Sequence, residues 1–371
     1  MKKYIFLLFL FISFNLIAQQ IKSVLNATII GSGSPKYNPE RSGPSVLINY
    51  QDTYLLVDMG NGTQANLDKL QIKTKQLDGL LFTHHHLDHN EEFVPIFIKA
   101  LIGNSTFTVA GPTATADYVS NNLALYDEDI NYRLNKSGRK VSDVKSNFTT
   151  KEFTGGETFS IGDITITTAK VNHTINTIAY RFDAGGTSIV VSGDLTYSQN
   201  LSVLALNADY LIIDSGGTIA KGSKPKNTNT GKAKNNKTRA HVNLAESSLM
   251  AKEANTKNLV LTHFSVTDID EDATTKEINK NYIGAVIFAE DLMVLSSTGI
   301  TNTKTTEVNN INVNKKGNKQ PDFDKLLERM DTNNNGTIEK SEAKGKLKEN
   351  FDNRDKNNDG YITKQEFLVK R

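Results

Sequence analysis

The chain has 371 residues, with 43 Lys and Arg against 41 Asp and Glu and a formal charge of +2. That near-neutral balance excludes any whole-molecule attraction to nucleic acid or an anionic membrane, so a preference for anions must come from a local patch. No cysteine is present, which rules out disulfides and thiolate ligands and leaves His, Asp, Glu and neutral oxygens to build any metal site.

Met1-Lys2-Lys3 leads into the apolar run Tyr4–Ile12, and small Ala18 follows. This predicts a signal peptide over residues 1–18 and a secreted or periplasmic protein, because the run is too short to span a bilayer. Removing Lys2 and Lys3 leaves 41 basic residues facing 41 acidic ones. No second apolar stretch of spanning length follows, so no membrane span is expected.

A large domain is predicted over residues 22–300. Strands are expected at Val24–Ile30, Ser45–Tyr50 and Tyr54–Asp58, with Gly31–Pro35 as a Gly/Pro loop and Gln51-Asp52-Thr53 as a hairpin turn. A helix near Gln64–Leu70 precedes the apolar run Gly79–Phe82, which reads as a buried strand. Directly after it stands Thr83-His84-His85-His86-Leu87-Asp88-His89. Alternation on an extended segment puts His84 and His86 on one side, free to hold one cation, while Asp88 and His89 turn toward a second. His85 points the other way. Four of the chain's seven histidines crowd into six positions here, a concentration that a surface loop does not explain.

Further helices are expected from near Glu91 and over Ala114–Leu125. Strands follow at Ile164–Val171, Thr177–Phe182, Thr187–Val191, Tyr210–Ile213 and Leu259–Leu261, with a helix at Asn243–Ala254. Strands with interspersed helices predict a layered α/β fold of two sheets flanked by helices. His173, Asp194 and His263 each end such a strand, and His241 precedes a helix. Those are the places where a rigid scaffold presents side chains to a cleft. Residues 221–239 carry Lys221, Lys224, Lys226, Lys232, Lys234, Lys237 and Arg239 with no acid. The stretch reads as a solvated loop; the functional alternative is a flap that attracts an anionic substrate, since it leads into His241.

Residues 301–320 shift to Thr, Asn and Lys and read as a linker. In residues 321–371, Pro321–Met330 predicts a short helix with Phe323, Leu326 and Leu327 on one face. Two twelve-residue loops then repeat one pattern. Asp331, Asn333, Asn335, Thr337 and Glu342 in the first, and Asp355, Asn357, Asp359, Tyr361 and Glu366 in the second, supply oxygens around a glycine at the sixth position. These are EF-hand calcium loops by spacing and chemistry. Ile338 and Ile362 should pair across them. Starting 24 residues apart, the loops leave room for one connecting helix, which predicts a compact calcium-stabilised appendage rather than a sensor lobe.

Taken together, Gly31–Pro35, Arg41–Ser45, Leu56–Gly60, His84–His89, His173, Ser192-Gly193-Asp194 and Leu261–Ser265 resemble the metallo-β-lactamase superfamily. Within it they are most similar to the ribonuclease Z and arylsulfatase-like branch. The resemblance implies an αββα sandwich with two zinc ions, manganese or iron being possible in their place. His84, His86 and His173 would hold the first ion, Asp88, His89 and His263 the second, and Asp194 would bridge them. It further implies catalytic roles for Asp88, orienting a metal-bridging hydroxide, and for His241, serving the leaving oxygen. Asp58 and Asp214 are candidate partners of the ligands, with a buried structural acid the preferred reading of Asp58. The tRNA-processing members carry a long arm between the positions matching His173 and Asp194, and the twenty strand-like residues here leave no room for one.

The expected function is therefore a secreted dinuclear zinc hydrolase of phosphodiester or sulfate-ester bonds, acting on a small anionic ester and not on tRNA, with a calcium-binding C-terminal module. The alternatives are a lactonase or amidase on the same fold, or a non-enzymatic calcium-dependent surface-binding protein.

Overall fold

The computed structural model describes residues 23–103, 105–223, 239–302, 323–333, 335–355, 357–363 and 367. The leader, most of the linker, the lysines of the basic loop beyond Lys221, and Glu366 lie outside the described residues. The chain divides into two compact units, Met1–Glu307 and Val308–Arg371.

The first unit begins with three strands, β1 (Asn26–Gly31), β2 (Ser45–Tyr50) and β3 (Thr53–Val57), then helix α1 (Thr63–Lys69), strand β4 (Gly79–Leu81) and helix α2 (Phe93–Ile102). Strand β5 (Phe107–Pro112), helices α3 (Thr115–Leu125) and α4 (Asp127–Asn135) and strand β6 (Phe148–Phe153) complete its first half. Alternation along the strands assigns their faces. Val46 and Ile48, Leu55 and Val57, and Leu81 enter the core shared with the second sheet. Leu47, Leu56, Leu80 and Phe82 point the other way, into a separate core with α2. On α2 the buried residues Phe93, Ile96, Phe97, Ala100 and Leu101 fall at helical spacing and form one stripe. Pro95 sits in the first turn, where its missing N–H costs nothing.

The second half adds β7 (Thr158–Ile161), β8 (Ile164–Val171), β9 (Thr177–Ala184), β10 (Thr187–Val191), helix α5 (Gln199–Leu204), β11 (Tyr210–Asp214), helix α6 (Leu244–Glu253), β12 (Asn258–Thr262), helix α7 (Glu271–Ile278) and β13 (Ala285–Phe288). Two last strands, β14 (Met293–Ser296) and β15 (Gly299–Asn302), return to the first sheet. The sheets run β15-β14-β1-β2-β3-β4-β5-β6 and β13-β12-β11-β10-β9-β8-β7. Each is antiparallel at one end and parallel at the other: β3 to β6 pair parallel, as do β10 to β13. Parallel strands deliver all their C-terminal ends to one edge, and the loops after β4, β10, β11 and β12 carry the residues of interest. The two-sheet α/β expectation holds, with helices against the outer faces.

The C-terminal unit contains α8 (Phe323–Met330), a two-stranded ribbon of β16 (Ile338–Glu339) and β17 (Tyr361–Ile362), and the short helices α9 (Lys346–Glu349) and α10 (Phe351–Arg354). Ile338 pairs with Ile362, as expected. Phe323, Met330, Phe351 and Phe367 join these isoleucines in a small core. The single connecting helix was expected to be continuous, but it is broken at Asn350, whose φ of −110° and ψ of 17° leave the helical region; asparagine competes with helix by bonding its own backbone.

Candidate metal centre

The loop after β4 is held from several sides. Phe82 N–H donates to Ala110 O, Met59 N–H to His89 O, and Ile178 N–H to Thr83 O. The buried Tyr180 hydroxyl donates to Phe82 O at 2.8 Å. Gly60 lets the loop pass closely, since a Cβ there would stand 2.6 Å from Asp88 O.

This scaffold gathers His84, His86, His173 and Asp194 in one group, Asp88, His89, Asp194 and His263 in a second, and Asp214, His241 and His263 in a third, each within 4.8 Å. In the first group His86 Nδ1 lies 3.1 Å from both His84 Nε2 and His173 Nε2. The outer partners decide which of these nitrogens carry protons. His173 Nδ1 donates to Ala240 O at 2.9 Å, so its Nε2 presents a lone pair. The Thr83 hydroxyl donates to Asp58 Oδ2 at 2.7 Å and therefore accepts from His84 Nδ1 at 3.0 Å, leaving a lone pair on His84 Nε2 as well. Burial pushes the His84 imidazole far below its ordinary pKa, helped by its neighbour His89, and burial lowers His173 too. Neutral imidazoles with inward lone pairs are what a cation requires.

Asp194 stands between the groups. Its Oδ2 faces His84 and His173 at 3.9 and 4.0 Å, and its Oδ1 faces His89 and His263, each at 3.4 Å. Asp88 Oδ2 lies 3.2 Å from His263 Nε2 and 3.5 Å from His89 Nε2. Burial alone would lower the His89 pKa, yet Asp194 and Asp58 raise it well above the usual value. For His263 burial again opposes and Asp194 again wins. The second group thus draws positive charge into a buried place. His89 Nε2 and Asp194 Oδ1 are buried without a hydrogen-bond partner. Facing lone pairs, an unpartnered carboxylate oxygen and a demand for positive charge fit divalent cations, and Asp194 belongs to both groups that would hold them.

Asp58 is both a structural acid and an outer partner. It accepts from Thr83 N–H at 2.8 Å, from the Thr83 hydroxyl, and from His89 Nδ1 at 2.8 Å. Asp214 Oδ2 takes the Nδ1 hydrogen of His241 at 2.6 Å, and its Oδ1 accepts from Gly216 N–H. That bond, with further attraction from Asp214, Asp194 and Asp88, lifts the His241 pKa to about 9 against the opposing effect of burial. Burial pushes the Asp214 carboxyl up, and the bond from His241 opposes that shift. The His241 side chain is 40 % exposed, far more than those of His84, His89 or His173. His85 lies outside the groups, its Nε2 2.9 Å from Thr115 Oγ1 and its ring beside Phe82 and Tyr118.

Three contributors carried no signal of their own in the sequence: Thr83, the carbonyl of Ala240, and Thr174, whose hydroxyl lies 3.2 Å from His86 Nε2. A threonine is common in strands, and a carbonyl is present at every residue.

The Beta-lactamase superfamily domain matches residues 53–264, more than half of the chain. The protein belongs to that superfamily. Among curated relatives, a Ribonuclease Z of Mycobacterium bovis is 30 % identical over 196 residues, covering 51 % of this chain and 69 % of the relative. Among solved structures, the metallo-beta-lactamase fold protein YhfI from Bacillus subtilis aligns over 74 % of this chain and all of its own, with 22 % identity and a TM-score of 0.58. Human tRNase Z, short form, aligns over 73 % of this chain and 98 % of its own, with 20 % identity and a TM-score of 0.53. The superfamily fold and these relatives make the chain a metallo-β-lactamase-fold hydrolase, and its His and Asp cluster has the residues that could hold metal ions in the dinuclear site that such a fold suggests.

In the C-terminal unit the EF hand family matches residues 323–342 and 347–369. Both loops are pre-shaped alike. Asp331 and Asp355 each accept from the backbone N–H of the fifth and sixth loop residues, and Asn333 and Asn357 accept from the fifth. Gly336 and Gly360 take the left-handed conformation, at φ 80° and 89°, that the turn requires. Glu342 closes the first loop onto Thr332 and Glu339. Among the described residues no helix is long and apolar enough to cross a membrane.

Proposed function

We propose that this hydrolase uses two zinc ions to cleave phosphodiester or sulfate-ester bonds of small anionic substrates, outside the cytoplasm. The observation that carries this reading is His241, a half-exposed imidazole hydrogen-bonded to buried Asp214 beside the cluster. Cleavage of such an ester leaves a full negative charge on the departing oxygen, and a charged imidazole beside the reacting centre can neutralise it by giving up a proton. Zinc ions bound to the two groups would supply Lewis-acid activation of a water and neutralise the charged oxygens of the substrate. Asp88, at the edge of the second group, accepts a hydrogen bond from the attacking water and keeps it aligned.

The Ribonuclease Z relatives support phosphodiester chemistry. Between His173 and Asp194 the chain runs only through β9, a tight turn and β10, which supports a small substrate rather than tRNA. Export rests on residues 1–18 and would be tested by the N-terminal sequence of the mature protein. Residues 22–300 are taken as the hydrolase and residues 321–371 as a module that calcium stabilises.

The test is hydrolysis of bis-p-nitrophenyl phosphate, p-nitrophenyl sulfate and a chromogenic lactone by zinc-loaded protein, with and without chelator. Chelator-sensitive turnover of the phosphate or sulfate ester is expected. Turnover of the lactone alone would replace this reading with ring opening, and turnover of none would leave a binding protein.

A further inference from the structure

Four histidines of the cluster have a hydrogen-bond partner on the nitrogen that faces away from it: Thr83 for His84, Thr174 for His86, the Ala240 carbonyl for His173 and Asp58 for His89. Outer partners of this kind fix the ring of a metal-ligating histidine. His263 is different. Among the described residues its ring bonds only through Nε2, to Asp88, and its ring contacts with His89 and His241 place it only relative to the cluster itself.

The backbone of His263 is the other departure. It takes φ 62°, in the left-handed region that a residue with a Cβ enters at a cost and keeps only where its surroundings impose it. The aim of this ligand therefore depends on what holds the chain on either side. On one side, Ser215 N–H donates to Thr262 O and the Ser215 hydroxyl to His263 O. On the other, Phe264 N–H donates to Ser32 O at 2.9 Å, in the loop that follows β1.

Behind Ser32 stands Arg41. Its Nη1 donates at 2.7 Å to the Ser32 hydroxyl and to Ala289 O, and its guanidinium lies 4.6 Å from the centre of the buried Phe264 ring. The Ser32 hydroxyl accepts from Arg41 because it gives its own hydrogen to buried Asp291 at 2.8 Å. The same carboxylate takes Ser32 N–H, Ser42 N–H and Asn66 Nδ2. Arg41 thus holds Phe264 in two ways, at the ring and through the residue whose carbonyl takes its N–H. A planar guanidinium can lie against a ring and still donate from its edge, which an ammonium cannot match.

Resting on the reading of the two groups as cation sites, we propose that Arg41 is a positioning residue for His263. By fixing Phe264 it imposes the left-handed turn that aims the imidazole at the second group, in place of the outer partner that the other histidines have. It acts through Phe264 and not by contact with the cluster.

The experiment titrates cobalt(II), whose visible absorption reports its ligands, into metal-free full-length protein in two backgrounds. His86→Gln leaves the second group whole, and His263→Gln leaves the first. Arg41→Gln added to the His86→Gln background should weaken cobalt binding by about ten- to a hundredfold, the range for loss of an outer partner, and shift the absorption band of the ion that still binds. Added to the His263→Gln background it should change affinity by less than about twofold, the spread expected of independent sites, because the ligand it positions is gone. Arg41→Lys should show a smaller loss, again in the first background only. Equal losses in both backgrounds, or no loss in the first, would overturn the proposal and leave Arg41 as a residue of the fold alone. Should Arg41→Gln fail to fold, as judged by circular dichroism, Ser32→Ala removes only the hydroxyl between Arg41 and Asp291 and should give the same one-sided loss. Uptake of fewer than two cobalt ions by wild type would instead overturn the two-site reading on which the proposal rests.

Discussion

Asp58 holds His89 Nδ1 at 2.8 Å, on the side of the ring opposite the Nε2 that faces Asp88 and Asp194. The same carboxylate takes the Thr83 hydroxyl and so sets the proton position on His84. One buried acid thereby orients a ligand in each of the two groups. Asp58→Asn should lower metal affinity by about ten- to a hundredfold, read by competition with a chromophoric chelator. Unchanged affinity would show that Asp58 serves the fold alone.

His241 is separable from metal binding in a way that Asp194 is not. His241→Gln should lose roughly 10²- to 10⁴-fold in kcat, the range of general acid catalysis, while metal content measured by plasma emission stays at the wild-type level. Asp214→Asn should lose part of that activity, since it removes the carboxylate that raises the His241 pKa to about 9. Parallel loss of metal and activity would instead make His241 a ligand.

Gly193 precedes Asp194 in the left-handed region, at φ 62°. A Cβ there would stand 2.7 Å from the Thr83 Cβ. Gly193→Ala combines backbone strain with a clash and should cost about 1–3 kcal/mol of stability, read by urea unfolding. It should also weaken metal binding, because Asp194 and Thr83 cannot both keep their places.

Glu157 titrates far from the cluster. Burial nudges its carboxyl up, but bonds from Thr154 N–H, the Thr168 hydroxyl and the Thr154 hydroxyl outweigh it and bring the pKa to about 2 from 4.5. A depressed carboxylate pKa adds stability above pH 4.5, and that stability is lost as the pH falls toward 2. Glu157→Gln should therefore lower the urea midpoint at pH 6 to 7 slightly and converge on wild type near pH 2 to 3. The effect is small because the side chain is largely in water. A constant difference across that range would contradict it.

The C-terminal unit has a small core around Phe323, Phe351 and Phe367, and below about 70–80 residues such cores need a staple. Calcium removal by chelator should melt this unit, seen as loss of helical circular dichroism and rapid proteolysis beyond residue 320. Glu342→Gln should raise the calcium needed for protection by about tenfold or more, because it removes the closing carboxylate of the first loop.

Much of this architecture is written in local patterns. Ser45–Tyr50, Ile164–Val171 and Thr187–Val191 have the expected bounds, since β-branched runs between turn residues leave the backbone few choices. The parallel strands β5 and β6 and the helix α4 gave no such signal. Gly111 and Pro112 close β5, and Phe148–Phe153 alternates weakly because much of it is exposed. Their places in the sheet depend on neighbours far away in the chain.

The composition and the spacing of His84–His89 pointed by themselves to a cation site without thiolate ligands, because ligand chemistry depends on residue type and short-range geometry. Which nitrogen of each histidine faces inward depended on Asp58, Thr83 and the Ala240 carbonyl, and the place of His241 on its bond to Asp214. Those are bonds between segments up to 67 positions apart, and only folding brings such partners within hydrogen-bonding reach.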